Sequence, residues 1–226
     1  MTTKNTAVAA FGSSASKKGF SLVELLCVIT IISILASVTG PSIVGMLSGD
    51  QLTNNAYQLS GIAQQARTTA MSQHTYVWLG FYSYTSNGAP AVMAATAQIN
   101  SGLSTDLPTI AANYRLASKP VTLRNTTIAA ASAYLGLRGV DSADNTDVST
   151  PGFSFSMSVP GNANATFTDC IVFGPDGQAY LPSSVGAIAA PTQCVGLGIN
   201  ASPGHTIRTA AIQIRGLSGQ VSVFRQ

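Results

Sequence analysis

A chain of 226 residues has room for one ordinary domain and an anchoring segment, but not for two full domains with separate cores. Charged residues are only 8% of it, against about a quarter in typical soluble domains, while Gly, Ser, Thr, Ala and Asn are abundant, a balance that suits an exported, strand-rich protein better than a cytosolic helical enzyme. The formal charge of +3 belongs to the first residues: Lys4, Lys17 and Lys18 precede Gly19 with nothing acidic among them, and from Phe20 onward eight Lys+Arg meet eight Asp+Glu. A nucleic-acid footprint needs a basic stripe on the folded part. Scattered arginines such as Arg208, Arg215 and Arg225 do not supply one, so nucleic acid is not an expected partner.

From Phe20 to Thr39 the chain reads FSLVELLCVITIISILASVT, 20 residues with one ionisable group, Glu24. As a helix this run is about 30 Å long, the thickness of a bilayer's hydrocarbon core. Its apolar residues fall on every side, as in a helix that spans a membrane or is fully buried. Lys17 and Lys18 stand just before the run and the next positive charge is Arg67, so the positive-inside rule puts residues 1–19 in the cytoplasm and the rest across the membrane. A secretory signal peptide shares the basic start, but its apolar core of about 7–15 residues ends in a small-residue cleavage site. This run is too long for that role. Glu24 either reaches the headgroup region or pairs with a cation on another protein, because a lone carboxylate in lipid is costly.

Lys17-Lys18-Gly19-Phe20-Ser21-Leu22-Val23-Glu24 resembles the processing site of type IV prepilins and type II secretion pseudopilins. The resemblance implies cleavage after Gly19 by a membrane aspartyl peptidase, methylation of the new amino-terminal Phe20, and neutralisation of a neighbouring subunit's amino terminus by Glu24 during assembly. A buried carboxylate and a buried ammonium are each costly alone and far less so as a pair. The implied partners are a prepilin peptidase/methyltransferase, other pilin or pseudopilin subunits, an inner-membrane assembly platform and membrane lipid. The implied place is the bacterial inner membrane, single-pass, with the amino terminus cytoplasmic and the head periplasmic or extracellular, and a filament after assembly. The chain then divides into a leader (1–19), a transmembrane and assembly helix (20–39), an amphipathic continuation (40–73) and a β-rich head (74–226).

Gly40-Pro41 falls where pilin helices of this family often carry a helix-weakening proline, and a kink or local melt is expected there, extended by Gly45 and Gly49. Asp50 can then cap a second helical stretch, in which Leu52, Ala56, Leu59, Ala63, Ala66 and Ala70 recur at steps of four and three. That predicts an amphipathic half-helix lying on a sheet and running to about Ser72; a coiled coil is a poor rival with so much alanine. Strands are predicted at Thr75–Tyr82, Phe153–Val159, Asp169–Phe173, Gln178–Leu181, Thr209–Arg215 and Gln220–Phe224. Tight turns are expected at Pro175-Asp176-Gly177 and Leu217-Ser218-Gly219. Residues 87–149 read as an insertion with some strand and considerable loop. The fold class is α+β, a long amino-terminal helix packed on an antiparallel β-rich, pilin-like head. With its FGPDGQ and LSGQVSV hairpins, this layout is similar to H-type minor pseudopilins and related minor pilins.

Of three cysteines, Cys27 lies in the apolar run and is expected to pack as a small hydrophobe. Cys170 and Cys194 can form a disulfide if the head is exported, the alternative being two buried free thiols. His74 and His205 sit in no metal or triad motif and read as polar residues at strand or loop edges. Gly196-Leu197-Gly198 lacks the third glycine and the following helix of a dinucleotide fingerprint. Asp141, Asp144 and Asp147 hint at calcium, but their spacing does not match an EF-hand loop, and a solvated acidic loop is the better reading. Sequons at Asn125 and Asn164 match the glycosylation pattern, as bacterial-type sequences mostly do by chance. The function expected is a non-enzymatic structural subunit without cofactor, metal or catalytic residues. The alternative is a filament-tip module that recognises DNA, a surface or a secreted substrate.

Overall fold

The computed structural model describes residues 21–150, 152–188, 193–201 and 208–225, apart from the side chains of 38–50 and of residue 163. It divides at Ile43–Val44 into an amino-terminal unit and a head. The architecture is α+β, a helix followed by largely antiparallel sheets. Helix α1 (Leu22–Gln73) passes through both Gly40-Pro41 and Asp50. The expected melt therefore does not occur, and Asp50 is helix interior rather than a cap. An internal proline costs about 3 kcal/mol, but stopping and restarting the helix adds a second unfavourable nucleus. The helix ends in a Schellman turn: His74 takes the left-handed conformation at φ 50°, and the Thr75 N–H reaches back to the Ala70 carbonyl at 3.1 Å. His74 is a helix terminator.

In chain order the remaining elements are β1 (Val77–Ser86), β2 (Ala89–Ile99), β3 (Tyr114–Leu116), β4 (Val121–Arg124), β5 (Thr126–Ala129), α2 (Ala131–Tyr134), β6 (Asn145–Asp147), β7 (Phe155–Val159), β8 (Asn162–Phe167), β9 (Asp169–Phe173), β10 (Ala179–Tyr180), β11 (Cys194–Ala201), β12 (Thr209–Arg215) and β13 (Val221–Arg225). The first sheet has the order β10-β9-β1-β2-β3, with β4 also paired to β2. The second has the order β13-β12-β11-β5, with β6 beside β11 as the one parallel pair among the described strands. β7 and β8 form a separate hairpin.

The six apolar positions of α1 read from the sequence, Leu52 to Ala70, are each at most 5% exposed. They share one core with both sheets, through Leu79, Phe81 and Ile171 of the first and Leu197, Ile212 and Ile214 of the second. Four of the six are alanines, which lets the helix backbone approach closely. The β7–β8 hairpin covers the far face of the first sheet, packing Phe155, Met157 and Phe167 on Trp78, Ala95 and Val172. On the far face of the second sheet, Tyr134 and Leu137 pack on Ala129 and Ala211.

Of the predicted strands, those at Asp169–Phe173 and Thr209–Arg215 keep their bounds, and the others shift at their ends. Both predicted turns form, with Gly177 at φ 80° and Gly219 at φ 61°. They meet at one side chain. Arg67 of α1 donates its Nε–H to the Gly177 carbonyl at 3.1 Å. A Cβ on Gly219 would strike that same carbonyl and lie 2.7 Å from Arg67 Nε. Beside them the Ala179 N–H donates to the Gly216 carbonyl at 2.7 Å, so the helix, the edge of the first sheet and the last hairpin are joined here.

Residues 87–149 hold far more order than the insertion read from the sequence, namely β2 to β6 and α2. β2 alone is 11 residues, almost wholly buried and alanine-rich, so it lacks the alternation that marks a half-exposed strand. The overlooked signal was Asn87-Gly88. Both residues have left-handed φ, 52° and 77°, as a type I′ hairpin turn requires.

Candidate functional site: the exposed apolar helix

Before the head, α1 shows its side chains to its surroundings on every face. Ten large apolar residues between Leu22 and Leu35 are 44% to 79% exposed. Hydroxyls in this stretch turn inward instead: Thr30 donates to the Cys27 carbonyl at 2.8 Å, Ser33 to that of Ile29 at 2.7 Å and Ser37 to that of Ile34 at 2.7 Å. Each leaves no free donor. Glu24, in the first turn, is then the one carboxyl group of the stretch, and it has no hydrogen bond or ion pair among the described residues. The helix N-terminus favours a negative charge there, without neutralising it. Lys17, Lys18, Gly19 and Phe20 lie outside the described residues. Among the described residues no helix is long and apolar enough to cross a membrane; the described side chains of this run stop at Ser37.

In the head, Cys170 and Cys194 are free, buried thiols, so the expected disulfide is not present. Cys170 faces the core under the β7–β8 hairpin, whereas Cys194 opens β11 of the second sheet, which meets the first sheet on its other face. Disulfide geometry needs Cβ atoms about 4 Å apart, and a sheet stands between them. Burial, with a contribution from Asp169, pushes the Cys170 thiol up to about 12 from 9.0. The thiolate is the reactive form, so iodoacetamide at about pH 8 should leave Cys170 unmodified in the folded chain and modify it after denaturation, read by peptide mass. The folded state keeps this proton between pH 9 and pH 12, where the unfolded chain releases it. The linked stability is present below that window and is lost as pH rises through it.

The three aspartates of the predicted acidic loop differ in role. Asp147 accepts from the Tyr134 hydroxyl at 2.6 Å through one oxygen, and from the Ser149 N–H at 2.9 Å and hydroxyl at 2.5 Å through the other. It is a structural acceptor. Burial, then the Asp147 bond, holds the Tyr134 hydroxyl protonated well above its usual range. Asp141 is tied through its backbone to the Gln213 amide at 3.0 and 2.7 Å, and Asp144 is exposed. Among the described residues no three His, Cys, Asp or Glu side chains could hold a metal. Gly196 and Gly198 serve packing. A Cβ on Gly198 would enter the Tyr134 ring and come within 2.9 Å of Ala129 Cβ, and one on Gly196 would strike Asn145 and approach the Tyr134 hydroxyl at 2.6 Å.

Arg208, Arg215 and Arg225 do not form one cluster. Arg225 pairs across from Ala210 near the start of β12, beside Arg208, and donates to the Thr53 hydroxyl at 3.2 Å. Arg215 stands at the other end of β12, about 24 Å from Arg208 at strand spacing. His205 lies outside the described residues.

No curated protein and no solved structure matches the chain. Residues 14–40 match the prokaryotic N-terminal methylation motif. That segment takes in the basic pair, Gly19, Phe20, Glu24 and the apolar run, and it supports reading the chain as a pilin-like protein of the type IV pilin and pseudopilin kind.

Proposed function

We propose that this chain is a non-enzymatic structural subunit of a pilus-like or secretion filament. A prepilin peptidase cuts it after Gly19 and Phe20 is methylated. The segment Phe20–Thr39 holds it in the inner membrane, with the head beyond the cytoplasm, and then packs against other subunits. The observation that carries this reading is the helix of ten exposed apolar side chains with self-satisfied hydroxyls and one carboxylate unpaired among the described residues. An exposed apolar surface of this kind needs lipid or protein to cover it. Glu24 then meets the amino terminus of a neighbour, where each charge removes the other's desolvation cost. Within this class the chain is a minor subunit akin to the H-type minor pseudopilins, supported by the long helix and by its FGPDGQ and LSGQVSV hairpins.

Mass spectrometry of the mature protein's amino terminus tests the proposal. The expected species begins with N-methylated Phe20; an intact leader, or a cut at any other bond, rejects it. Recognition of DNA at a filament tip draws no support from Arg208, Arg215 and Arg225, which form no continuous stripe.

A further inference from the structure

Charge is distributed unevenly over the head. Residues 107–140 include Arg115, Lys119, Arg124 and Arg138 and no acidic residue, whereas Asp141, Asp144 and Asp147 follow at once. Three of the basic residues lie along one edge of the first sheet, Arg115 and Arg124 with their side chains on opposite faces of it and Lys119 between them. Arg115 stands across from Gln98 of β2 and Arg124 across from Ala91, while Ala117 and Ser118 bond to Thr96 between them. At about 3.4 Å per residue this row is about 24 Å long, with exposed Lys119 near its middle. Among the described residues Arg115 is held only by Gln98 Oε1 at 3.3 Å. Lys119 and the Arg124 guanidinium have no hydrogen bond or ion pair among the described residues. Asp106, which precedes the row, is engaged by the Ser101 hydroxyl at 2.5 Å.

A complementary feature lies on the second sheet. A cleft of about 500 Å³ opens where β11 begins and β12 ends, lined by Asp141, Asp144, Gln193, Cys194, Arg215 and Leu217 among others. Two carboxylates against one guanidinium leave it negative. Gln193 steadies one of them, its amide donating to both Asp144 oxygens at 3.1 and 2.7 Å in the orientation that satisfies both groups. The Cys194 thiol in the wall is 4% exposed and unpartnered among the described residues. Leu217 at the rim is 73% exposed, an apolar rest for an alkyl stem. Such a cleft suits a lysine, whose ammonium seeks carboxylates while its methylenes lie on apolar surface.

We infer that the Lys119 edge of one copy docks into the Asp141–Asp144 cleft of the next copy. The inference rests on the filament reading above. The two surfaces belong to different sheets, so the contact is heterologous and, between two copies, leaves one half free on each. Exposed ion pairs contribute little affinity. Their effect lies in register and in choice of partner.

Lys119 is the one lysine after Lys18, which makes zero-length carbodiimide coupling selective. Equal amounts of unlabelled and ¹⁵N-labelled full chain, processed and reconstituted together in vesicles, are coupled and mapped by mass spectrometry. Mixed-isotope links from Lys119 to Asp141 or Asp144 are expected, and they should fall severalfold at about 1 M salt, where screening acts within about 3 Å. Lys119→Asp removes them, and adding Asp144→Lys restores a link between positions 119 and 144. Absence of Lys119 links in a chain with an unchanged circular dichroism spectrum, or links confined to single copies, overturns the inference. The amino-terminal mass reports on the filament reading separately: a correctly cut chain without the Lys119 link rejects the docking alone.

Discussion

Gly198→Ala is expected to lower the thermal midpoint of the head by roughly 10 °C. The added Cβ enters the Tyr134 ring and lies 2.9 Å from Ala129 Cβ, and Tyr134 is 0% exposed and has no room to retreat. Its hydroxyl is also fixed, donating to Asp147 and accepting from the Asn145 amide at 3.2 Å. Overpacking of this kind costs about 3 kcal/mol, and in a domain of this size each kcal/mol moves the midpoint by about 2–4 °C. Circular dichroism melts of the full chain in detergent read the effect. Tyr134→Ala alone should also destabilise, by about 3–5 kcal/mol for a lost core aromatic. The double variant should lose clearly less than the sum of the two, because one clash is shared. Strict additivity would mean that Gly198 and Tyr134 are not in contact.

The second large effect is expected at Arg67. Arg67→Ala removes a charged donor from the Gly177 carbonyl and should cost about 2 kcal/mol. The loss should be local: amide exchange should speed up at Gly177 and Gly219, whose N–H groups close the two turns at 2.9 and 2.7 Å, and stay slow at Val172 in the centre of the first sheet. Arg67→Lys should recover only part, since an ammonium lacks the planar guanidinium that presents Nε–H to the carbonyl while lying along Gly219. Equal acceleration across both sheets would show that Arg67 supports the fold generally instead of pinning the two turns.

These positions show what the sequence made legible. The helix face from Leu52 to Ala70 was readable because a helix lying on sheets must place apolar residues at steps of four and three, and that constraint is local. The turns at Gly177 and Gly219 were readable because they need residues that accept positive φ. That both turns converge on Arg67 was not readable, since Gly177 lies 110 residues from it in the chain. Tyr134 and the Gly196-Leu197-Gly198 run are a second such pair, legible only once α2 is folded over β11. β2 was missed for another reason: buried on both faces, it shows no alternation, and its alanines carry weak strand preference. For Cys170 and Cys194 the sequence leaves open a disulfide or two buried free thiols, because their spacing depends on which face of each sheet they occupy. In the candidate site, composition alone exposed the apolar run and Glu24. The inward hydroxyls of Thr30, Ser33 and Ser37 needed coordinates, because a serine or threonine in a helix can equally point outward.

The chain's single tryptophan, Trp78, is fully buried, its ring centre 5.3 Å from that of Phe153 and 6.2 Å from that of Phe155, with no acceptor for its indole N–H among the described residues. It looks away from α1 into the layer beneath the β7–β8 hairpin. The one tryptophan, which emits at longer wavelength than the chain's seven tyrosines, thus sits as a monitor of that hairpin. Its emission is expected to respond to detachment of that hairpin more directly than to loosening of the helix, which packs on the opposite face of the same sheet through Val77 and Leu79.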